Sequence, residues 1–387
     1  MKITFVFDGL QFGGIERVGI EYIKLLKAKG HIINVINLVP KLADMEQELP
    51  NDVQITHINY PRNFTPQRYS KLERMGIVFS ATFKFINLIL SAAQPIYKIF
   101  YRNKLEKTDI VIAFSGHFND LTFVQQNFKD SNLKIAWLHG DQYSYDVISP
   151  GFFRLYNDIG NLVCLSEEND EYVLEYNARN NIRKEKIYNP INCADKIIDC
   201  ELVDELKSTY GDFCLMVGRM APDKDQKTVI KAFSILKEKY GFDKKLVLVG
   251  DGPDRKGNEE FAKECRIEDM VKFIGARYDV QNFYSAASVY VHSSPAEGLP
   301  TVLLEAMYYN LPIASTDSKP GVREILQDNC GLISSVGDSD ALAENIYRLY
   351  TDKYLAENLI SACEKRLEVF TPDYVVEQFE RFIRRGI

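Results

Sequence analysis

A chain of 387 residues, 46% hydrophobic and 26% charged, is long enough for two ordinary domains with separate cores and has the composition of a soluble globular protein. Its formal net charge of −7 argues against a general nucleic-acid binder, so no nucleic-acid partner is expected. Residues 1–190 are nearly balanced, with 22 Lys and Arg against 21 Asp and Glu, so the acidic excess belongs to the second half.

In chain order, KITFVF is an apolar run too short for a signal peptide. Asp8 follows it at once, and it reads as a first buried strand. A Gly-rich turn leads into a helix over about 16–29, closed by Gly30. HIINVINLV, DIVIAFSG, KIAWLHG and NLVCLS are further strands of the first half, and FCLMVGR, KLVLVGDG, VKFIGA, SVYVHSS and LPIAST those of the second. Short buried runs separated by helices indicate parallel sheets covered on both faces. The expected architecture is therefore α/β, with two sequential doubly wound domains. The segment around Pro190 is the expected linker, dividing a domain over 1–189 from one over 190–370. Residues 371–387 show apolar positions at 375, 376, 379, 382 and 383, an amphipathic helix that by default packs on the second domain. No run reaches about 18 uncharged apolar residues, so no transmembrane helix is expected. Seven scattered cysteines, without a CxxC pair, read as reduced thiols of a cytosolic protein and offer no metal spacing.

Several motifs carry candidate chemistry. In Glu297-Gly-Leu-Pro-Thr-Val-Leu-Leu-Glu305, Gly298 and Pro300 hold the first glutamate in a loop. Pro300 suits the first turn of the following helix, and Glu305 falls about one turn inside it. Free N–H groups at such a helix start suit phosphate or sugar oxygens. Read alone, the two glutamates are as well explained as solvated surface residues. The loop from Gly218 to Asp225 offers Arg219 and Lys224, a fork and a point charge for phosphate, at the end of a strand. Read alone, it is equally a solvated loop paired to Asp223 or Asp225. Gly13-Gly14-Ile15-Glu16 opens the first helix and allows close backbone approach, but it is not GxGxxG, which disfavours a dinucleotide oxidoreductase. Glu16 there complements the helix dipole. His139, ending a strand, has the groups to hydrogen-bond a sugar, and Asp141 those to take a proton; a structural histidine is the ordinary alternative. Val249-Gly-Asp-Gly-Pro253 reads as a turn.

Taken in order, GGIERV, WLHG, VGRMAPDKD, VGDGP, FIGARYDV, AEGLPTVLLEAM and LPIASTDSKPGVREI resemble glycosyltransferase family 4, retaining enzymes of group 1 with the GT-B fold. The resemblance covers nearly the whole chain. It implies two Rossmann-like doubly wound parallel-sheet domains facing a central cleft. The first would bind the acceptor and the second the nucleotide-sugar, with the C-terminal helix crossing back to the first. Arg219 and Lys224 would grip the donor diphosphate and offset the leaving charge in place of a metal, so no metal or other cofactor is expected. Gly14 would bring a backbone amide to the same phosphates. Glu297 would contact the transferred sugar beside the amides of Gly298 and Leu299, Thr301 would lie near the phosphates, and Glu305 would bind the ribose. Arg277 would lie near the base, and His139 would touch the transferred sugar from the first domain. Retention would proceed by acceptor attack on the leaving-group face, a donor phosphate oxygen taking the proton, without a carboxylate nucleophile. The chain departs from the family pattern at Tyr308-Tyr309-Asn310, where Asn310 is suited to a left-handed cap, and at Pro320-Gly321, which replaces a glycine pair.

The expected activity is hexosyl transfer from a nucleotide-sugar, a UDP-sugar first and GDP-mannose second, to a glycan or lipid-linked acceptor in surface polysaccharide or glycolipid synthesis. The alternatives are a sugar-nucleotide epimerase of the same fold and a catalytically silent binding subunit. A silent copy should have lost Arg219, Lys224 or a glutamate, and all are present. Segment 60–107 carries nine Lys and Arg, Arg74 among them, against Glu73 and Glu106, interleaved with apolar and aromatic residues. Such a basic amphipathic segment suits an anionic membrane surface, and also an ordinary helix pair with one buried face. The expected location is cytoplasmic, peripheral on the inner face of the cell membrane.

Overall fold

The computed structural model describes every residue except 141, 168–170, 195 and 328, with side chains undescribed at 64, 74, 91, 94 and 146. The chain divides into two compact units, Met1–Pro190 with Pro372–Ile387, and Ile191–Thr371. The described residues of the first unit form a seven-stranded parallel sheet in the order β3-β2-β1-β4-β5-β6-β7. Its strands are β1 (Lys2–Phe7), β2 (Ile32–Asn37), β3 (Gln54–His57), β4 (Ile110–Ala113), β5 (Leu133–Leu138), β6 (Asn161–Cys164) and β7 (Arg183–Lys186). Chain order reverses between β1 and β4, the mark of a doubly wound sheet. Ile3, Phe5, Val6 and Phe7 are all fully buried, which explains why β1 reads as a continuous apolar run rather than an alternation.

The helix Gly14–Ala28 turns Val18, Tyr22, Ile23 and Leu26 onto one face of this sheet. The helix Pro372–Arg384 packs in the same core through Val375, Val376, Phe379, Phe382 and Ile383. Phe379 lies 5.5 Å from Trp137 and 5.9 Å from Tyr22 between ring centroids, and the Arg183 guanidinium sits 4.1 Å over Phe382. Burying each such side chain is worth roughly 1.5–3 kcal/mol, which fixes the end of the chain to the first unit.

The second unit holds β8 (Phe213–Val217), β9 (Lys245–Val249), β10 (Val271–Gly275), β11 (Val289–His292), β13 (Ile313–Thr316) and β15 (Leu332–Ser334). They form a sheet in the order β10-β9-β8-β11-β13-β15, parallel throughout its described pairs. A separate two-stranded piece pairs β12 (Ala296–Glu297) with β14 (Lys319–Pro320), with a cis Lys319–Pro320 peptide. Helix ends follow local chemistry. Asp199 caps Cys200–Tyr210 by accepting from the amides of Glu201 and Leu202, and Gly241 closes Gln226–Tyr240 at φ 61. Asn310 takes φ 56 after the helix Thr301–Tyr308.

Two departures from the sequence reading stand out. β3, β7, β15 and the β12–β14 pair were not anticipated. β7 is Arg-Lys-Glu-Lys, an edge strand whose charges blunt the edge and hide the strand pattern. The second is the helix Ile77–Lys98, 22 residues whose most apolar 18-residue window has a mean hydropathy of 1.4, long and apolar enough to cross a membrane by length and composition. Lys84 within it broke the uncharged run that the sequence criterion required.

Candidate functional site

The second sheet reverses its chain order between β8 and β11, and the loops leaving the carboxyl ends of these strands hold most of the candidate residues. The loop after β8 carries Arg219 and Lys224. Gln226 Nε2 donates to the Arg219 carbonyl at 3.0 Å, and Ser293 Oγ reaches the carbonyls of Lys224 and Asp225 at 3.0 and 2.8 Å. Ser293 directly follows β11, so it ties one loop to the other. Asp225 turns the chain into the helix Gln226–Tyr240 with a left-handed φ of 46. The turn after β9 supports the same loop from below. A Cβ at Gly250 would sit 2.0 Å from the Gly218 carbonyl oxygen, and one at Gly252 2.3 Å from that of Met220. Gly250 and Gly252 therefore serve close backbone packing, at φ 141 and 158.

Lys224 Nζ lies 2.5 Å from Glu297 Oε1. Arg219 stays largely in solvent and pairs with Asp223 at 3.1 Å. Behind the pair stands His292, the last residue of β11, 2% exposed, with Nε2 3.7 Å from Glu297 Oε1. Neither ring nitrogen has a hydrogen-bond partner among the described residues. Burial pushes His292 down to about 4, against the opposing pull of Glu297, so the ring is neutral. Sequence reasoning passed over it as part of a strand. The signal was a histidine closing an apolar strand five residues before Glu297.

Gly298, Leu299 and Pro300 lead from Glu297 into the helix Thr301–Tyr308. Pro300 is the residue preceding the helix, not a member of its first turn as the sequence suggested. Its φ of −72 fits proline, but its ψ of 98 is extended. A Cβ at Gly321 would lie 2.6 Å from the Gly298 carbonyl oxygen and 2.7 Å from Pro300 Cδ, so this glycine allows β14 and the helix after it to press on the Glu297 loop. Glu305 is buried within the helix and receives Lys196 Nζ at 3.3 Å. Lys196 was not anticipated, because nothing local in the linker distinguishes it from other surface lysines. Arg277, after β10, donates to both Asp279 carboxylate oxygens at 2.8 and 2.6 Å and lies 5.6 Å over Phe283; its hydrogen bonds to Asp279 raise its pKa. Its side chain is thus engaged within its own loop.

In the first unit Gly14 is the first residue of its helix, with no atom within 4 Å of where a Cβ would stand. Glu16 is buried, and burial raises its pKa. His139 follows β5. Its Nε2 donates to the Phe114 carbonyl at 2.6 Å, which leaves Nδ1 as an acceptor, and burial lowers its pKa to about 4. Asp141 lies outside the described residues. A polar cluster at the ends of β1 and β4 went unrecognised in the sequence. Asp8 accepts from Asn119 Nδ2 at 2.8 Å and faces His117 Nδ1 at 3.3 Å, and this contact raises the His117 pKa. Asp120, fully buried and bonded to the amides of Gly116 and His117, is pushed up to about 7 by desolvation. The chain scatters these residues over 8–120, and only the switch point of the first sheet gathers them.

Two Rossmann-like parallel-sheet domains in one chain are the fold of the GT-B glycosyltransferases. Residues 203–366 match the family model of Glycosyl transferases group 1, so the second unit carries a domain of that kind. Over 392 aligned residues the chain is 24% identical to the Campylobacter jejuni GalNAc-alpha-(1->4)-GalNAc-alpha-(1->3)-diNAcBac-PP-undecaprenol alpha-1,4-N-acetyl-D-galactosaminyltransferase, covering 99% of this chain and 98% of that one. It is 25% identical to the lipopolysaccharide core biosynthesis glycosyltransferase LpsE of Rhizobium meliloti, over 71% and 75% of the two chains. The crystal structure of Anabaena Alr3699/HepE in complex with UDP matches with a TM-score of 0.72 over 100% of both chains at 18% identity, a likeness of fold.

Proposed function

We propose that this protein is a metal-independent, retaining glycosyltransferase of family 4. It moves a sugar from a nucleotide donor, a UDP-sugar first and GDP-mannose second, to a hydroxyl of a glycan or lipid-linked acceptor. The observation that carries the reading is the contact of Lys224 with Glu297 at the switch point of the second sheet, with Arg219 in the same loop. A cation pair beside a carboxylate suits a sugar diphosphate: phosphate oxygens meet the cations, and sugar hydroxyls donate to the carboxylate.

In this reading Arg219 and Lys224 bind the diphosphate, with amides near Gly14 and Thr301 assisting. Glu297 accepts from hydroxyls of the transferred sugar, next to the amides of Gly298 and Leu299. Glu305 accepts from the ribose hydroxyls, Arg277 borders the base, and His139 offers Nδ1 to the sugar from the first unit. The bond from the anomeric carbon to the diphosphate oxygen breaks as the acceptor oxygen bonds to that carbon on the same face. The acceptor proton passes to the departing phosphate oxygen. Negative charge grows on the diphosphate, and the fixed cations lower the barrier by stabilising it there. The first unit would hold the acceptor.

The name of the Campylobacter relative, with its undecaprenol-linked acceptor, supports a lipid-linked glycan acceptor, and the UDP in the Anabaena structure supports a uridine donor. The test is a panel of UDP- and GDP-sugars scored for thermal stabilisation and for release of free sugar. Stabilisation by one member, with slow hydrolysis and unchanged sugar identity, is expected; a panel with no shift at saturating concentration overturns the donor assignment.

A further inference from the structure

The helix Ile77–Lys98 lies between β3 and β4 of the first sheet and has little of the protein around it. Only 6% of its most apolar window is buried, and Phe83 is its one buried side chain among those described. Ile77, Val78, Phe79, Phe85, Leu88 and Ile89 are between 45% and 91% exposed. A soluble monomer rarely leaves so large a contiguous apolar surface in water. The helix contains no acidic residue, and the residues at and after its end include Lys98, Arg102, Lys104 and Lys107. Apolar exposure and positive charge therefore coincide on one segment.

The length of the helix would allow it to span a bilayer, but the fold does not. β3 and β4 belong to one sheet, so both ends of segment 58–109 return to the same side of any membrane. A single crossing would need a second one to come back. The other long element of the segment, the 3-10 helix Pro66–Met75, has ten residues and includes Arg68, Lys71 and Glu73. Irregular backbone cannot return through the hydrocarbon exposed to lipid, because its amides and carbonyls would have no partners there.

We propose that the helix Ile77–Lys98 lies flat in the interface of an anionic bilayer, its apolar side chains among the acyl chains and the basic residues at its end against the headgroups. The protein is then a monotopic membrane protein held by its first unit. This docking stands apart from the donor reading, and its test contains no nucleotide.

The full-length protein is sedimented with vesicles of phosphatidylcholine alone or mixed with phosphatidylglycerol. The wild type should bind the mixed vesicles. Replacing Lys98, Arg102, Lys104 and Lys107 together by Gln should weaken partitioning by roughly a hundredfold or more, at about fivefold per cation. Phe85→Ser with Leu88→Ser and Ile89→Ser, all at exposed positions, should abolish it. In a separate protein, Phe85→Trp should show a blue-shifted emission on mixed vesicles, over the constant signal of the single buried Trp137. Wild type left in the supernatant overturns the proposal, as does binding indifferent to both variant sets or emission of the Phe85→Trp variant unmoved by lipid. Sedimentation velocity showing a dimer that the triple Ser variant loses, with no vesicle binding, would assign the surface to a second copy and equally overturn it.

Discussion

Lys224 Nζ and Glu297 Oε1, 2.5 Å apart, join the two loops that flank the switch point of the second sheet. The cation assigned to the leaving diphosphate and the carboxylate assigned to the sugar neutralise one another in the free protein. A bound donor would insert its hydroxyls and phosphates between them, replacing one charge-assisted contact by two. Both side chains are partly shielded from solvent, so the pair is screened less than a surface ion pair. Glu297→Gln keeps size and a hydrogen-bonding oxygen but removes the charge. It should reduce kcat by about 10²-fold or more while changing donor Kd severalfold at most. Steady-state kinetics with calorimetric donor titration separates the two, and a loss confined to Kd would contradict the role given to Glu297.

Glu305 is buried and has Lys196 at 3.3 Å. Lys196→Met strands the carboxylate and should destabilise the protein by about 1–3 kcal/mol, discounted from a fully buried pair because Lys196 is partly solvated. Adding Glu305→Gln should recover part of that loss. Glu305→Gln alone should mainly weaken nucleotide binding. Urea midpoints for the two single variants and the double variant check the coupling, and strictly additive losses would rule it out.

The pH dependence has a defined sign. His292 and His139 are each held near 4, below the ordinary 6.5, chiefly by burial. The unfolded chain takes up these protons first, so their contribution to stability is complete above about pH 6.5 and is lost as pH falls towards 4. Each histidine accounts for up to about 3 kcal/mol over that window. Asp120, held near 7, works in the opposite sense and gains stability as pH falls from 7 towards 3.8, so His292→Gln should remove only its own share, up to about 3 kcal/mol, of the loss between pH 6.5 and 4. Urea melts at neutral and acidic pH measure this, and an unchanged slope would show that His292 titrates in the folded protein as it does in the unfolded chain.

Two glycines make opposite predictions. Gly14→Ala meets nothing within 4 Å and stands at a helix start, so it should leave stability unchanged or raised by up to about 1 kcal/mol. A loss of donor affinity in that variant would then report a lost close approach to the ligand. Gly321→Ala drives a methyl against the Gly298 carbonyl and Pro300, and should lower both melting temperature and activity by displacing the Glu297 loop. Thermal melts beside donor titrations distinguish the two, and a strongly destabilised Gly14→Ala would contradict the first.

Much of this was legible in the sequence because parallel strands buried on both faces announce themselves as apolar runs. β1, β5, β8, β9 and β11 all did so. Arg219, Lys224, Glu297 and Glu305 could be named as candidates from their motifs, but read alone each was as well explained as a solvated residue, and it was the resemblance that implied their roles. β7 escaped because an edge strand of four charged residues follows no apolar pattern. His292 escaped because it reads as one more residue of an apolar strand, although Glu297 follows five positions later. Lys196 and the Asp8–His117 contact escaped for a different reason. Each acquires its partner only when distant segments meet: Lys196 and Glu305 lie 109 residues apart in the chain. The helix Ile77–Lys98 was visible as apolar and basic, but that it would find so little protein to cover it could be read only from the fold.

The central claim is that Lys224, with Arg219, carries the charge of the leaving diphosphate. Its most direct measurement is the rate of nucleoside diphosphate release from the best sugar nucleotide, at saturating donor, by the wild type and by Lys224→Met confirmed as folded by its melting curve. A fall of about 10²–10³-fold is predicted, the scale of losing one fixed group that stabilises transition-state charge. A rate within threefold of the wild type would contradict the account.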